Sequence, residues 1–189
     1  MLASASPRRR ALLATAGFKF EIVRAAVAER SDCNLTLREL TLYNASRKGL
    51  SAARSHPQDV VLAADTLVAI DDEIIGKPAD MKDAAKIMRR LSGRTHDVCT
   101  AVFICQLSTG RISTFSEISH VRFRNLTNNT IRAYLTKVDP LDKAGAYAAQ
   151  DAGSEIIEAI DGSVTNVIGL PMEKTMAELR GFAIKPASP

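Results

Sequence analysis

The 189-residue sequence contains no tryptophan, and aromatic residues make up only 5% of it. Proteins that bind single-stranded nucleic acid stack bases on aromatic side chains, so this composition argues against such a surface. No segment has the apolar length of a membrane span, and the charges that begin at Arg8 leave no apolar region for a signal peptide. We therefore expect a cytoplasmic protein that binds neither nucleic acid nor a membrane.

Cysteine is also scarce, since the chain contains only Cys33, Cys99 and Cys105. An odd number without a C-x-x-C spacing or a nearby histidine pair predicts neither a disulfide framework nor a zinc site. Cys99 and Cys105 fall in an apolar run, where small buried side chains are the expected interpretation. The sequence also lacks a Walker A motif and a G-x-G-x-x-G motif, which argues against a P-loop ATPase and a dinucleotide-dependent oxidoreductase.

The composition is that of a globular protein, with 46% hydrophobic and 24% charged residues. This length can form one domain or two closely joined lobes, and we expect only the tail from residue 183 to 189 to fray. The 25 basic residues nearly balance the 21 acidic ones, which leaves a net charge of +4. Any strongly basic surface must therefore be local, as it would be in a site for a small anionic substrate.

The N-terminal segment predicts a short strand, a tight loop and a helix that ends at Gly17. Ser6 stands at the expected N-cap and Pro7 at the first helical position. Arg8, Arg9 and Arg10 then fall in the first turn, where they oppose the helix dipole unless an anion compensates them. Together with the hydroxyls of Ser4 and Ser6, they predict a phosphate site, and the alternative is an incidental basic turn.

Residues 59–64 form the clearest predicted strand, an apolar run that ends at Asp65 and Thr66. A carboxylate there is costly to bury without a cation, and α/β sheets bind ligands beyond their strand ends. We therefore predict that Asp65 is catalytic, although an Asp that merely caps a turn is the alternative. Lys77 follows the next hairpin, in extended backbone from which its side chain can return toward Asp65.

Small residues dominate positions 141–150, which allows the backbone to approach a ligand closely. Gln150 offers both a donor and an acceptor, which suits the edge of a nucleobase. The basic helix start, the buried carboxylate and this loop together indicate a hydrolase that acts on a nucleotide. The remaining predicted elements are a short strand at 18–23, long strands at 96–105 and 112–123, and helices at 37–53, 80–91, 127–138 and 171–179. A hairpin is also predicted, in which residues 156–160 lead into a turn at Asp161 and Gly162.

Six motifs, in order along nearly the whole chain, resemble those of the Maf family of nucleoside triphosphate pyrophosphatases. They are Ser4-x-Ser6-Pro7-Arg8-Arg9, Ala64-Asp65-Thr66, Gly76-Lys77-Pro78, Ser92-Gly93-Arg94-Thr95-His96, Asp142-Lys143-Ala144-Gly145-Ala146-Tyr147 with Gln150, and Val167-Ile168-Gly169-Leu170-Pro171. The resemblance implies an α/β fold shared with the inosine triphosphate pyrophosphatases. In that fold a long, curved, mixed β-sheet lies between two α/β lobes, and the protein is commonly a homodimer.

The resemblance also implies the reaction, in which water attacks a nucleoside triphosphate and releases pyrophosphate. Asp65 matches the family's proton acceptor, and Lys77 and Arg9 match catalytic positions. The family's divalent metal, Mg²⁺ or Mn²⁺, would lie near Glu29 and Asp65. Residues expected to bind substrate or set its choice are Ser4, Ser6, Arg8, Lys48, Thr66 and Gln150.

Substrate choice within the family separates a branch that hydrolyses dTTP and UTP from one that hydrolyses 7-methyl-GTP. Arg8, Thr66 and Gln150 match the pyrimidine branch, whereas the other branch has an aromatic residue in place of Arg8. Asp151 departs from the pattern, which has glycine there, and this could change base preference.

Glu29 and Lys48 taken alone resemble ordinary surface charges. The alternative function is a nucleotide-sensing regulator of cell division or septum formation that acts through a partner.

Overall fold

The computed structural model describes residues 1–25, 27–31, 34–150 and 152–187. The helices are α1 (Pro7–Thr15), α2 (Leu37–Ser55), α3 (Met81–Leu91), α4 (Asn128–Leu135), α5 (Gly153–Ile156), α6 (Val164–Ile168) and α7 (Met172–Gly181). The strands are β1 (Val61–Ile70), β2 (Glu73–Ile75), β3 (Thr95–Gln106), β4 (Arg111–Phe123) and β5 (Ile157–Asp161). The predicted α/β class is confirmed.

The five strands form one sheet in the order β2-β1-β3-β4-β5, and every neighbouring pair is antiparallel. Within the described ranges, parallel pairing is limited to isolated bridges from Leu2 to Ile22 and to Leu62. The strands predicted at the N-terminus and at residues 18–23 are therefore single bridges. The chain leaves the sheet at Ser4 to cap α1, so too few residues remain to build a ladder.

β1 does not end before Asp65, and this part of the prediction is wrong. β3 offers pairing partners along its whole length, and Asp65 pairs with Ala101 in the middle of the ladder. The strand ends only at the turn formed by Asp71 and Asp72, whose φ angles of 53° and 60° suit a tight hairpin into β2. Because neighbouring strands of this sheet are antiparallel, their carboxyl ends do not meet at one edge, and Asp65 does not lie beyond a strand end.

Alternation along β1 sends neighbouring side chains to opposite faces of the sheet. Val61 and Ala63 pack in a cluster with Ala45, Ala52 and Ala53 of α2. Leu62 and Ala64 pack on the other face, with α1 and α7. By the same alternation Asp65 lies on the α2 face and Thr66 on the α1 face. A third cluster gathers α3 and α4 around Val68, Phe123 and Tyr134.

Helix ends agree closely with the sequence signals. Ser6, Asp80 and Thr127 each accept a hydrogen bond from a backbone N–H as the N-cap of α1, α3 and α4. α2 continues to Ser55 before His56, and α4 ends earlier than predicted, at Leu135. The hairpin predicted around residue 161 is absent among the described residues, because β5 pairs with β4 and Gly162 leads into α6.

Three further predictions concern the cysteines, the tail and the membrane. Cys99 and Cys105 are fully buried, as predicted, and Cys33 lies outside the described residues. Beyond α7, the N–H of Ala187 donates to the carbonyl of Gly17 at 2.9 Å. Across the described ranges, no helix is long and apolar enough to cross a membrane.

Candidate active site

A cavity of about 490 Å³ opens between the start of α1, the segment before α2, strand β1 and the loop before α5. Six cationic side chains but only three carboxylates line it among the described residues. The cations are Arg8, Arg9, Arg24, Lys48, Lys77 and Lys143, and the carboxylates are Glu29, Asp65 and Asp142. This excess of positive charge suits a ligand that carries several negative charges.

The N-terminus of α1 forms one wall of the cavity, and Ser4, Ser6 and Arg8 all line it. Pro7 occupies the first helical position, and the Ser6 hydroxyl accepts a hydrogen bond from the Arg9 N–H at 3.5 Å. The Ser6 N–H in turn donates to the Ser4 hydroxyl at 3.2 Å. This wall therefore combines hydroxyls, arginines and the positive end of a helix dipole, as a phosphate site requires.

Arg9 is only 9% exposed, so its guanidinium is held by the protein rather than by water. It donates to the Gly169 carbonyl at 2.7 Å, to the Ser4 hydroxyl at 3.2 Å and to the Thr66 hydroxyl at 2.9 Å. Burial lowers the pKa of Arg9, although nearby carboxylates oppose the shift. Arginine nevertheless keeps its charge in proteins, so the structure fixes a cation at the cavity wall.

Lys48 joins two carboxylates of the site, the buried Asp65 and the more exposed Glu29. Its ammonium donates to Glu29 at 2.5 Å and to Asp65 at 2.6 Å. Lys77 donates to the other oxygen of Glu29 at 2.8 Å, so it reaches Asp65 through Glu29 rather than directly. These contacts join four side chains into one connected group, which consists of Glu29, Lys48, Asp65 and Lys77. From the sequence alone, Glu29 and Lys48 resemble ordinary surface charges.

The two carboxylates differ in their affinity for a proton. Burial raises the pKa of Asp65, and the negative charge of Glu29 adds to this effect while Lys48 opposes it. Burial would also raise the pKa of Glu29, but the charges and hydrogen bonds of Lys48 and Lys77 outweigh it and lower that pKa to about 2. Asp65 is therefore the carboxylate better suited to accept a proton.

Asn44 is a site residue that the sequence reasoning missed. It lies on α2 one turn before Lys48, is 2% exposed, and donates to Asp65 at 3.3 Å. A signal was present, because Leu40, Asn44 and Lys48 are spaced at i, i+4 and i+8 and so follow one stripe of the helix. An amide on such a buried stripe needs polar partners.

The opposite wall of the cavity belongs to the small-residue loop. Asp142 accepts a hydrogen bond from Arg8 at 3.2 Å and another from its neighbour Lys143, which ties the loop to α1. The Tyr147 ring also lines the cavity, and its hydroxyl lies 2.8 Å from Nε2 of His96. Gln150 does not line the cavity, and Asp151 lies outside the described residues.

The described residues contain no group of three or more His, Cys, Asp or Glu side chains that could hold a metal ion. Glu29 and Asp65 offer two carboxylates joined through one lysine. This donor set does not suit a closed, all-protein metal site. It does fit Mg²⁺, which proteins usually bind through one or two carboxylates together with water and the phosphates of a substrate.

The fold and the cavity therefore define an α/β protein in which a cation-lined cavity, suited to a polyanionic ligand, contains a buried carboxylate. Comparison with known proteins agrees, since residues 1–182 match the family model described as "Maf-like protein". The chain belongs to the Maf family.

Several curated relatives carry the name dTTP/UTP pyrophosphatase. The one from Akkermansia muciniphila is 42% identical over 185 residues, which cover 98% of this chain and 97% of the relative. The one from Bacillus pumilus is 42% identical over 186 residues, with the same coverage of 98% and 97%. The one from Aquifex aeolicus is 42% identical over 183 residues, which cover 95% and 93%.

Proposed function

We propose that this protein hydrolyses dTTP and UTP to the nucleoside monophosphate and pyrophosphate. The observation that carries the proposal is the convergence of cationic side chains on a cavity that also contains the buried carboxylate of Asp65. The names of the full-length relatives point to the same substrates. A triphosphate carries several negative charges, which would balance the excess of cationic side chains in this cavity.

In the proposed mechanism, a water oxygen bonds to the α-phosphorus and the bond from that phosphorus to the bridging oxygen of the pyrophosphate breaks. Asp65 accepts the proton of the attacking water, and its raised pKa suits it to this role. Arg9, Lys77 and the Ser4 hydroxyl stabilise the charge that develops on the phosphate oxygens. Lys48 holds Asp65 and Glu29 in place before substrate binds.

A divalent cation, Mg²⁺ or Mn²⁺, would be held by Glu29 and Asp65 together with the phosphates. When bound, it would polarise the phosphate and lower the pKa of water. Both carboxylates are paired with lysines, and these pairs must loosen for the cation to bind. While these pairs are intact, Lys48 and Lys77 lower the pKa of Glu29 to about 2, so its carboxylate is ionised at neutral pH.

Base selection is assigned to Arg8, Thr66 and Gln150. Arg8 and Thr66 line the cavity, which supports their role, and the Ser6 hydroxyl lies beside Arg8. Gln150 is next in sequence to the cavity-lining Ala149, and its role rests on the family resemblance.

We also propose a single Maf-like domain with two lobes around the cavity, a cytoplasmic location and a homodimer. The support for the dimer is the family resemblance, and light scattering on the purified protein would test it. The cations gather in a concavity rather than on an open face, which favours a small anion over nucleic acid.

The test is pyrophosphate release from dTTP, UTP, CTP and 7-methyl-GTP with Mg²⁺ or Mn²⁺, with Asp65→Asn beside the wild type. We expect release from dTTP and UTP only, and a loss of at least about 10² to 10⁴ in rate in the variant, as for other general bases. Comparable turnover of 7-methyl-GTP would overturn the substrate assignment. No release from any nucleotide would favour the nucleotide-sensing regulator, whose binding to a division partner should survive Asp65→Asn.

A further inference from the structure

Every polar group of the buried Asn44 side chain has a partner. Its carbonyl oxygen accepts a hydrogen bond from the Arg30 N–H at 2.9 Å. Its amide nitrogen donates to the Arg30 carbonyl at 3.0 Å and to Oδ2 of Asp65 at 3.3 Å. One side chain therefore contacts both a catalytic carboxylate and the backbone next to Glu29.

The described residues 27–31, which include Glu29, lie in neither a helix nor a strand. Helix α2 holds this segment through residues on one face, since positions 44, 47 and 48 are three and four residues apart. Arg47 donates to the Ala28 carbonyl at 3.0 Å, and Lys48 donates to the Glu29 carboxylate at 2.5 Å. Asn44 holds Arg30, so α2 contacts three consecutive residues of the segment.

We propose that Asn44 is a positioning residue that sets the separation of the Glu29 and Asp65 carboxylates. Glu29 lies on an irregular segment and Asp65 on a central strand, so their relative position depends on what connects the two. Lys48 connects them through two hydrogen-bonded ion pairs at the end of a long, flexible side chain. Asn44 connects them through a short amide side chain, which hydrogen-bonds to the Arg30 backbone on one side and to the Asp65 carboxylate on the other. The inference rests on the proposed function, because it assumes that these carboxylates do the chemistry.

The chemistry of the amide explains why asparagine is suited to the position. A leucine has a similar volume but makes no hydrogen bond. An ionised aspartate would still accept from the Arg30 N–H but could not donate to the Arg30 carbonyl or to Asp65. It would also add a third negative charge to the group.

The first test compares Asn44→Leu with the wild type by hydrogen exchange of the backbone amides. Loss of one hydrogen bond should make the Arg30 amide exchange about fivefold faster, because such a bond contributes about 1 kcal/mol. The matched control is Thr41→Val, which removes a buried hydroxyl from the same helix one turn earlier. The Thr41 hydroxyl donates to the Leu37 carbonyl rather than to the segment around Glu29. The control should leave exchange at Arg30 unchanged.

The second test separates kcat from KM for dTTP. Removing an outer partner of a catalytic or metal-binding side chain typically costs 10- to 100-fold, and we expect about this loss in kcat for Asn44→Leu. KM should stay within about twofold, because the cations that would bind the phosphates are untouched. Thr41→Val should retain both constants even if its melting temperature falls.

Two outcomes would overturn the inference. One is wild-type exchange at Arg30 in a folded Asn44→Leu protein, and the other is wild-type kcat in that protein. If Asn44→Leu does not fold, Asn44→Asp serves instead, with protection of the Arg30 amide retained and kcat reduced 10- to 100-fold. A wild-type enzyme that releases no pyrophosphate would refute the proposed function, whereas the exchange rates would still decide the role of Asn44.

Discussion

The histidine of β3 makes the stability of this protein depend on pH. His96 is 2% exposed, and its Nε2 lies 2.8 Å from the hydroxyl of Tyr147. Its Nδ1 is buried without a hydrogen-bond partner among the described residues. The rings of Phe123 and Tyr147 pack against it edge to face. Burial lowers the pKa of His96 from 6.5 to about 4, although Asp97 opposes the shift.

The sign and size of the effect follow from this difference in pKa. Between pH 6.5 and pH 4 the unfolded chain binds a proton at His96 and the folded protein does not, so the free energy of unfolding falls as pH falls. One pKa unit corresponds to 1.36 kcal/mol, so the stability lost from pH 7 to pH 4 through this group is about 3 kcal/mol. The loss is a large fraction of a typical domain's stability.

The assay is urea unfolding of the wild type and His96→Gln at a series of pH values from 7 to 4 and at constant ionic strength. Glutamine does not titrate, and its amide can still bond to the Tyr147 hydroxyl, so the variant is a matched control for every other titrating group. The difference between the two unfolding free energies should change by about 3 kcal/mol over this range. Parallel curves would refute the argument, because they would mean that His96 is protonated equally in the folded and unfolded states.

Three further substitutions test core packing, with its control, and the donors of the Arg9 guanidinium. In Gly49→Ala the new methyl would lie 2.3 Å from the Phe103 ring, and we expect a loss of about 1–3 kcal/mol in urea unfolding. Gly181→Ala, which meets no atom within 4 Å, should be nearly neutral, and equal effects of the two would contradict this account. Arg9→Lys cannot replace all the donors that hold Thr66 and the cavity wall. It should lower kcat/KM for dTTP by about 10² or more, so wild-type kinetics would show that the guanidinium is unnecessary.

Much of the local structure could be predicted because its causes are local. α1 begins at Ser6 and Pro7 because the Ser6 side chain caps a backbone N–H three residues later. The hairpin turn depends only on the backbone conformation of Asp71 and Asp72. The motif residues Arg9 and Lys77 do line the cavity. Short-range rules of capping and turn formation carry these predictions, and they require no knowledge of distant contacts.

The course of β1 could not be predicted from the same rules. Asp65 interrupts an apolar run, which favours a strand end, but the pairing of Asp65 with Ala101 outweighs this local signal. The ladder with β3 covers Val61 to Ala69, so breaking it at the carboxylate would leave backbone groups of both strands unpaired. This position matters for the site, because Asp65 lies within a continuous strand pairing and its side chain faces α2.

The partners of Asp65 follow from that face, and this explains which site residues the sequence concealed. A helix that packs over an antiparallel strand brings residues four apart on its buried stripe to the same carboxylate, as Asn44 and Lys48 show. The family resemblance implied Lys48, whereas no motif marks Asn44. The two residues lie 17 and 21 positions before Asp65 along the chain. What reveals Asn44 is an energetic cost. A buried amide on a helix stripe is tolerated only where polar groups pair with it, and here these are the Arg30 backbone and the Asp65 carboxylate. A polar residue on a predicted buried helix face is therefore a reason to look for the charged group that it serves.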